Sequence, residues 1–300
     1  MSPTAVISGA GPAAPGHRAP LLRLAFRQYR ILAALVLLLA LLVGAPILLH
    51  HADWADAVVL RDRAGGYYRF LAHPGMYDLT GRLLDDGGRI SFQPALLAAT
   101  AAGVLTAREW ETRRVTLALT QSVTPARWFG VHWATVAVIF TVPTLALAML
   151  YHHSATYAAR HDLLVHGAAV QGTCFAIGPV TVAYAVLGVA AGAYTGTLLR
   201  RIWPTLIAAP ALTWLAAAVL VRSRLVLLVD FPLFDKVHGY HSGGILGLQL
   251  FGAEPQDTYL INSLDTGDYW PYQLASGALV LATAALLVLS ALRIVRRRTA

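Results

Sequence analysis

The sequence predicts an all-α integral membrane protein with six transmembrane helices, and three observations predict it. Hydrophobic residues make up 57% of the 300 residues and charged residues only 13%, against about 25% charged in an ordinary soluble domain. Several uncharged stretches reach about 17–25 residues, the length that crosses roughly 30 Å of hydrocarbon as helix. The arginines gather at the ends of these stretches, so the net charge of +8 is an orientation signal and not a nucleic-acid footprint. A single cysteine, Cys174, inside an apolar stretch, leaves no intramolecular disulfide and no cysteine metal cluster.

Residues 1–20, rich in Ala, Gly and Pro, read as a disordered tail ahead of one membrane domain over 21–300. Leu21 to Arg30 reads as a short amphipathic helix lying in the headgroup layer. Arg23, Arg27 and Arg30 fall at i, i+4 and i+7, with Leu22, Leu24, Phe26 and Tyr29 on the other surfaces. The first span is Ile31 to Leu49; it is longer than a signal-peptide apolar region and no small-residue cleavage site follows, so it is expected to be retained. His50 to Arg89 is polar, with Gly65-Gly66, Pro74-Gly75 and Gly87-Gly88 as turn signals.

The second span, Ile90 to Thr106, carries Gln93 and Pro94 near its start, and the third is Phe129 to Tyr151. His152 to His166 is a short polar connection. The fourth span, Gly167 to Leu199, is long enough to be tilted or broken, with Gly178-Pro179 as the natural break. Arg200-Arg201 forms a tight turn before the fifth span, Ile202 to Val221. Arg222 to Pro271 is a long outer connection whose apolar parts, Leu225 to Val229 and Gly243 to Phe251, can dip into the membrane edge. The sixth span is Tyr272 to Leu292, and Arg293, Arg296, Arg297 and Arg298 close the chain.

Six spans put both termini on one side. That side holds 14 of the 23 basic residues and 2 of the 15 acids, so it carries +12 against −4 opposite. By the positive-inside rule both termini are expected to be cytoplasmic, in a multi-pass cell-membrane protein.

The spans hold no Asp, Glu, Lys or Arg at mid-depth. Ion-coupled pumps keep ionisable groups there as the relay, so the pattern argues against a secondary transporter and against an acid-pair intramembrane protease. His132 is the one candidate base inside a span, and it reads as a packed or interfacial histidine near the cytoplasmic end of the third. A phosphate-binding loop needs Gly-Lys-Ser/Thr, and the only lysine, Lys236, lies between Asp235 and Val237. ATP-driven work would therefore need ATP, with its Mg, on a separate chain. Nine of the eleven histidines fall in the outward connections, and His238 and His241 have a His-x-x-His spacing, but no connection holds a full ligand set. No catalytic or metal-binding residues are assigned.

Two patterns remain. Gly188, Gly192 and Gly196 recur every four residues, a ridge of small residues that lets another helix approach closely. The loop between the second and third spans keeps Glu109 and Glu111, the only acids on the basic side, among Arg108, Arg113, Arg114 and Arg127. One reading is a surface presented to a partner. The plainer one is a solvated helix end with a Glu109–Arg113 pair of about 0.2–0.5 kcal/mol.

At Ala107-Arg108-Glu109-Trp110-Glu111-Thr112, then Leu119-Thr120-Gln121-Ser122-Val123-Thr124 and Arg127-Trp128, the chain resembles ABC transporter permeases of the type-2 exporter class, especially actinobacterial ones. The resemblance extends to the layout over about residues 21 to 298: an amphipathic helix, six spans and a long outer connection before the last. It implies a membrane subunit without catalysis of its own, paired with a second permease subunit as homo- or heterodimer and with separate ATP-binding subunits. It also implies that Glu109, Glu111 and Arg113 lie on a coupling helix in a cleft of the ATPase, flanked by Arg108 and Arg114. Many relatives have Gly-Thr after the second Glu, where this chain has Thr112-Arg113-Arg114. Two rival classes are a membrane-embedded enzyme or metal-dependent sensor using the outer histidines, and a scaffold that only anchors a cytoplasmic partner.

Overall fold

The computed structural model describes residues 18–64, 74–113, 124–161, 178–230 and 266–299. They form α1 (Arg18–Ala64), α2 (Pro74–Glu111), α3 (Pro125–Arg160), α4 (Pro179–Leu199), α5 (Ile202–Asp230) and α6 (Thr266–Thr299), with no strand among them. Each of the six contains a segment long and apolar enough to cross a membrane, as the composition requires.

The helices are longer than the spans. At 1.5 Å per residue, the 47 residues of α1 reach about 70 Å, well over twice a hydrocarbon core. Residues 21–30, expected as a separate amphipathic helix, are instead the first turns of α1. Nothing between Leu21 and Val43 is Gly or Pro, so nothing interrupts the hydrogen-bond ladder. The connection expected over His50–Arg89 is also mostly helix: α1 runs on to Ala64, and α2 starts at Pro74, which suits a first helical turn. Gly87-Gly88, a turn signal in the sequence, lies inside α2. The tertiary contacts of the helix ends remote from the termini override it: Tyr151 donates to Leu83 O at 2.9 Å, and His50 Nδ1 donates to Asp86 Oδ2 at 2.7 Å.

Past the spans, the ends of α1, α2 and α3 pack on one another around Trp54, Ala57, Leu83, Tyr151, Ala155 and Ala158. His51 lies 5.2 Å from the His153 ring and 4.9 Å from Tyr157, and Arg61 donates to His161 O. These histidines therefore serve helix packing. No group of three His, Cys, Asp or Glu side chains converges among the described residues. His238 and His241 lie outside the described residues.

Within the bundle α4 is central and α1 peripheral: 72% of the α4 span is buried, against 11% of the α1 span. The leucines of α1, including Leu35, Leu41 and Leu49, stay exposed at 59–70%, as lipid-facing side chains do. Pro179 starts α4 with Gly178 as extended N-cap, at the break the sequence signals; residues 167–177 lie outside the described residues, as does Cys174.

The α2–α4 pair makes the closest helix contact. A Cβ on Gly188 would overlap the carbonyl oxygen of Ala95, and one on Gly192 would overlap that of Ala99 and stand 2.7 Å from Gly103 N. A Cβ on Gly196 would lie 2.7 Å from Gly103 O. The ridge thus faces a matching row on α2, Ala95, Ala99 and Gly103, also spaced by four. Gly103 meets α5 as well, where its Cβ would lie 2.8 Å from Thr205 Cγ2. Small residues bring backbones within van der Waals reach where no hydrophobic drive exists between helices.

Candidate coupling surface

The Ala107–Trp128 stretch begins as the last turn of α2. Helix ends here because Thr112 turns its hydroxyl back onto Arg108 O, at 2.8 Å, and Arg113 adopts a left-handed conformation, φ 54°. The Arg113 amide donates to Trp110 O at 3.1 Å, satisfying a terminal carbonyl. The helix therefore stops short of residue 113, so Glu109 and Arg113 do not stand at a regular helical i, i+4 spacing. Arg114 lies outside the described residues, as does most of the segment up to Val123. The chain re-enters helix at Pro125, with Thr124 Oγ1 accepting from the Arg127 amide at 3.4 Å.

The four helical residues at this end point to different surroundings. Arg108 and Glu111 are exposed, as is Arg113 beyond them. Glu109 is buried, at 8% exposure, so it faces inward. Trp110 packs among Phe129, Ala193, Ala291 and Val295 from α3, α4 and α6. The Arg200 guanidinium sits over the Trp110 ring, 4.7 Å from its centre, a cation–π contact of about 0.5–2 kcal/mol.

Arg200 is itself the left-handed cap of α4, φ 56°, its amide donating to Gly196 O at 3.1 Å. Two residues further, the Ile202 amide at the start of α5 donates to Glu111 Oε1 at 2.9 Å. A carboxylate there satisfies one of the unpaired amides of a helix N-terminus and opposes its positive dipole end. The end of α2 is thereby clasped to the α4–α5 turn by an aromatic–cation contact and a charge-assisted cap. In the first turns of α3, His132 shares a 2.5 Å hydrogen bond with the Tyr29 hydroxyl of α1 and stacks on Trp128 at 5.5 Å. His132 is thus a packed residue tying α1 to α3.

The sequence pattern singled out Arg108, Glu109, Glu111, Arg113 and Arg114. The structure brings the first four to one helix end but separates their environments. Sequence reasoning missed Trp110, Arg200 and Tyr29. Their partners lie some 90–103 positions away, and no local spacing carries such a contact.

An all-helical bundle with six membrane-length helices, a buried glycine ridge and a charged end clasped to the bundle defines a multi-pass membrane protein of permease type. The family model described as ABC-2 membrane transporter related matches residues 71–225, slightly more than half of the chain, and the chain belongs to that family. The match spans α2 to near the end of α5, and so contains both the ridge contact and the clasp. Neither the curated proteins nor the solved structures contain a match to this chain.

Proposed function

We propose that the chain is the membrane subunit of an ATP-driven exporter and that a separate ATPase docks on the end of α2 and the segment leading to α3. Family membership carries the reading. The exposed side chains of Arg108, Glu111 and Arg113 support the site, because they form a polar surface fixed to a stiff element. ATP and its Mg belong to the partner, and a second permease subunit completes the path. Export, rather than import, rests on the resemblance of the 107–128 motif to the type-2 exporters. The positive-inside pattern puts this end in the cytoplasm, where the ATP is.

Force delivered here would travel through contacts already described. A push on α2 moves α4 with it, because the two backbones touch along the glycine ridge and close-packed interfaces are not compressible. The Glu111 cap and the Trp110–Arg200 stack carry the same motion into α5. Glu109, buried, positions the helix end rather than touching the partner.

The test is co-purification of the ATPase with tagged wild type and with Arg108→Glu/Arg113→Glu. If the arginines pair with carboxylates in a partly desolvated cleft, reversal costs about 2–5 kcal/mol and the ATPase is lost at normal membrane yield. Retention of the ATPase and of substrate-stimulated hydrolysis would remove this surface from the coupling role, since exposed pairs are worth only about 0–1 kcal/mol.

A further inference from the structure

We propose that a crevice between α1, α2 and α3 holds one acyl chain of a bilayer phospholipid, with Arg89 and Gln93 on its phosphate and ester groups. The crevice is a half-open groove with a cavity volume of about 40 Å³, bounded by α1 from Val36 to Val43, α2 from Arg89 to Leu97 and α3 from Phe140 to Leu147. Eight residues of helix on two of its walls, seven steps of about 1.5 Å, give it a length of about 10 Å along the bundle. It does not depend on the coupling role proposed above.

Its existence follows from the packing. α1 meets α3 at one end of the crevice, where Gly44 approaches Leu147, and at the other Leu32 and Val36 pack against the cluster that contains Val136, Ile139 and Phe140. Between these two contacts α2 and α3 each present a proline, Pro94 and Pro143, to the gap. Proline cannot donate to the preceding turn and its ring bends its own helix there, and the crevice lies at both of these positions.

The chemistry is graded along its length. The deep walls are apolar, and the one hydroxyl there, on Thr144, is already donated to Phe140 O at 2.7 Å. A polar solute would find no partner inside and would lose its hydration. At the mouth stand Arg89 and Gln93, both exposed and both without a hydrogen-bond or ion-pair partner among the described residues. Arg89 is the last charged residue before the apolar run from Ile90, so its guanidinium sits at headgroup level, on the side away from the termini. A forked cation above an apolar slot matches a phosphate joined to a hydrocarbon chain.

The experiment uses full-length protein in dodecyl maltoside micelles, titrated with dioleoyl phosphatidylglycerol, with bound lipid counted by native mass spectrometry. A single retained lipid is expected, and Arg89→Gln should weaken its retention about fivefold, the scale of one charge-assisted contact at a half-exposed site. Ala40→Trp, which fills the slot, should do the same. Arg63→Gln, an exposed arginine at the far end of α1, should leave it unchanged. Dioleoylglycerol, with the same chains and no phosphate, should bind wild type and Arg89→Gln equally and weakly. Equal retention of phosphatidylglycerol by wild type and Arg89→Gln overturns the proposal, as does dioleoylglycerol binding as tightly as the phospholipid. Arg89 is exposed and makes no hydrogen bond or ion pair among the described residues, so its variant decides the matter even if Ala40→Trp does not purify.

Discussion

Replacing Gly192 with Ala is the sharpest test of the architecture. The sequence alone makes Gly192→Ala look mild and only Gly192→Leu damaging, because Ala is still small. The structure reverses the first expectation. The added methyl would overlap Ala99 O and lie 2.7 Å from Gly103 N and 2.9 Å from Ala102 Cβ. Two of these three neighbours are backbone, so no side-chain rotation relieves the clash and α2 must move away from α4. Overpacking of this kind costs about 1–3 kcal/mol, against a gain of up to about 1 kcal/mol from replacing a helical glycine. With the full gain subtracted, the net expectation is a loss of about 0–2 kcal/mol, or about 1–3 kcal/mol relative to a site where the methyl meets nothing. Gly130 is the internal control: it is helical too, but a Cβ there meets nothing within 4 Å, so Gly130→Ala should keep the propensity gain and come out neutral or stabilised. The assay is unfolding in mixed micelles of rising SDS fraction, followed by circular dichroism, with thermal melting as a second readout. Gly192→Ala proving as stable as Gly130→Ala would mean that the α2–α4 contact is not as close as described, and would also remove the path by which α2 moves α4.

Topology is checked in a Cys174→Ala background: an impermeant thiol reagent on whole cells should label Arg63→Cys and His152→Cys, on the exposed outer helix ends, and leave Thr112→Cys unlabelled; labelling at position 112 inverts the orientation. The His50–Asp86 contact joins α1 to α2 with Asp86 only 5% exposed, so Asp86→Ala should cost about 1–3 kcal/mol by leaving a part-buried donor unmet. A double-mutant cycle with His50→Ala measures it, and additive losses would show that the pair contributes nothing.

How far the sequence carried depended on whether the signal was local. Six helices were legible because apolar runs and clustered arginines are counted within one segment. The Gly178-Pro179 start of α4 and the Arg200-Arg201 turn were legible for the same reason. The outer ends of α1, α2 and α3 were not. His50–Arg89 is polar and glycine-bearing, which reads as a loop, yet Trp54, Leu83 and Tyr151 meet there from three helices and hold it helical. Spacing within His50–Arg89 shows one contributor at a time. The same holds for residues 21–30, where arginines at helical spacing told of helix but not of its continuity with the span.

The coupling segment shows what a charge pattern leaves open. The two glutamates looked alike: both acidic, two positions apart, both isolated among arginines. A two-residue step on a helix turns side chains by about 200°, so the pair could never share a surface while the helix lasts. One is therefore buried and the other meets the amide of Ile202. The residue between them, Trp110, takes Arg200 on its face. A carboxylate that caps a neighbouring helix is not spare for a partner unless the cap is given up. This makes Glu111 different from Arg108 and Arg113, whose side chains have no such internal duty among the described residues. If an ATPase binds here, the arginines are free to hold it, and Glu111 transmits the load to α5. A Glu111→Gln change retains an acceptor for the Ile202 amide, whereas Glu111→Ala removes it. The two substitutions therefore separate charge from tether, a distinction that sequence spacing alone does not offer.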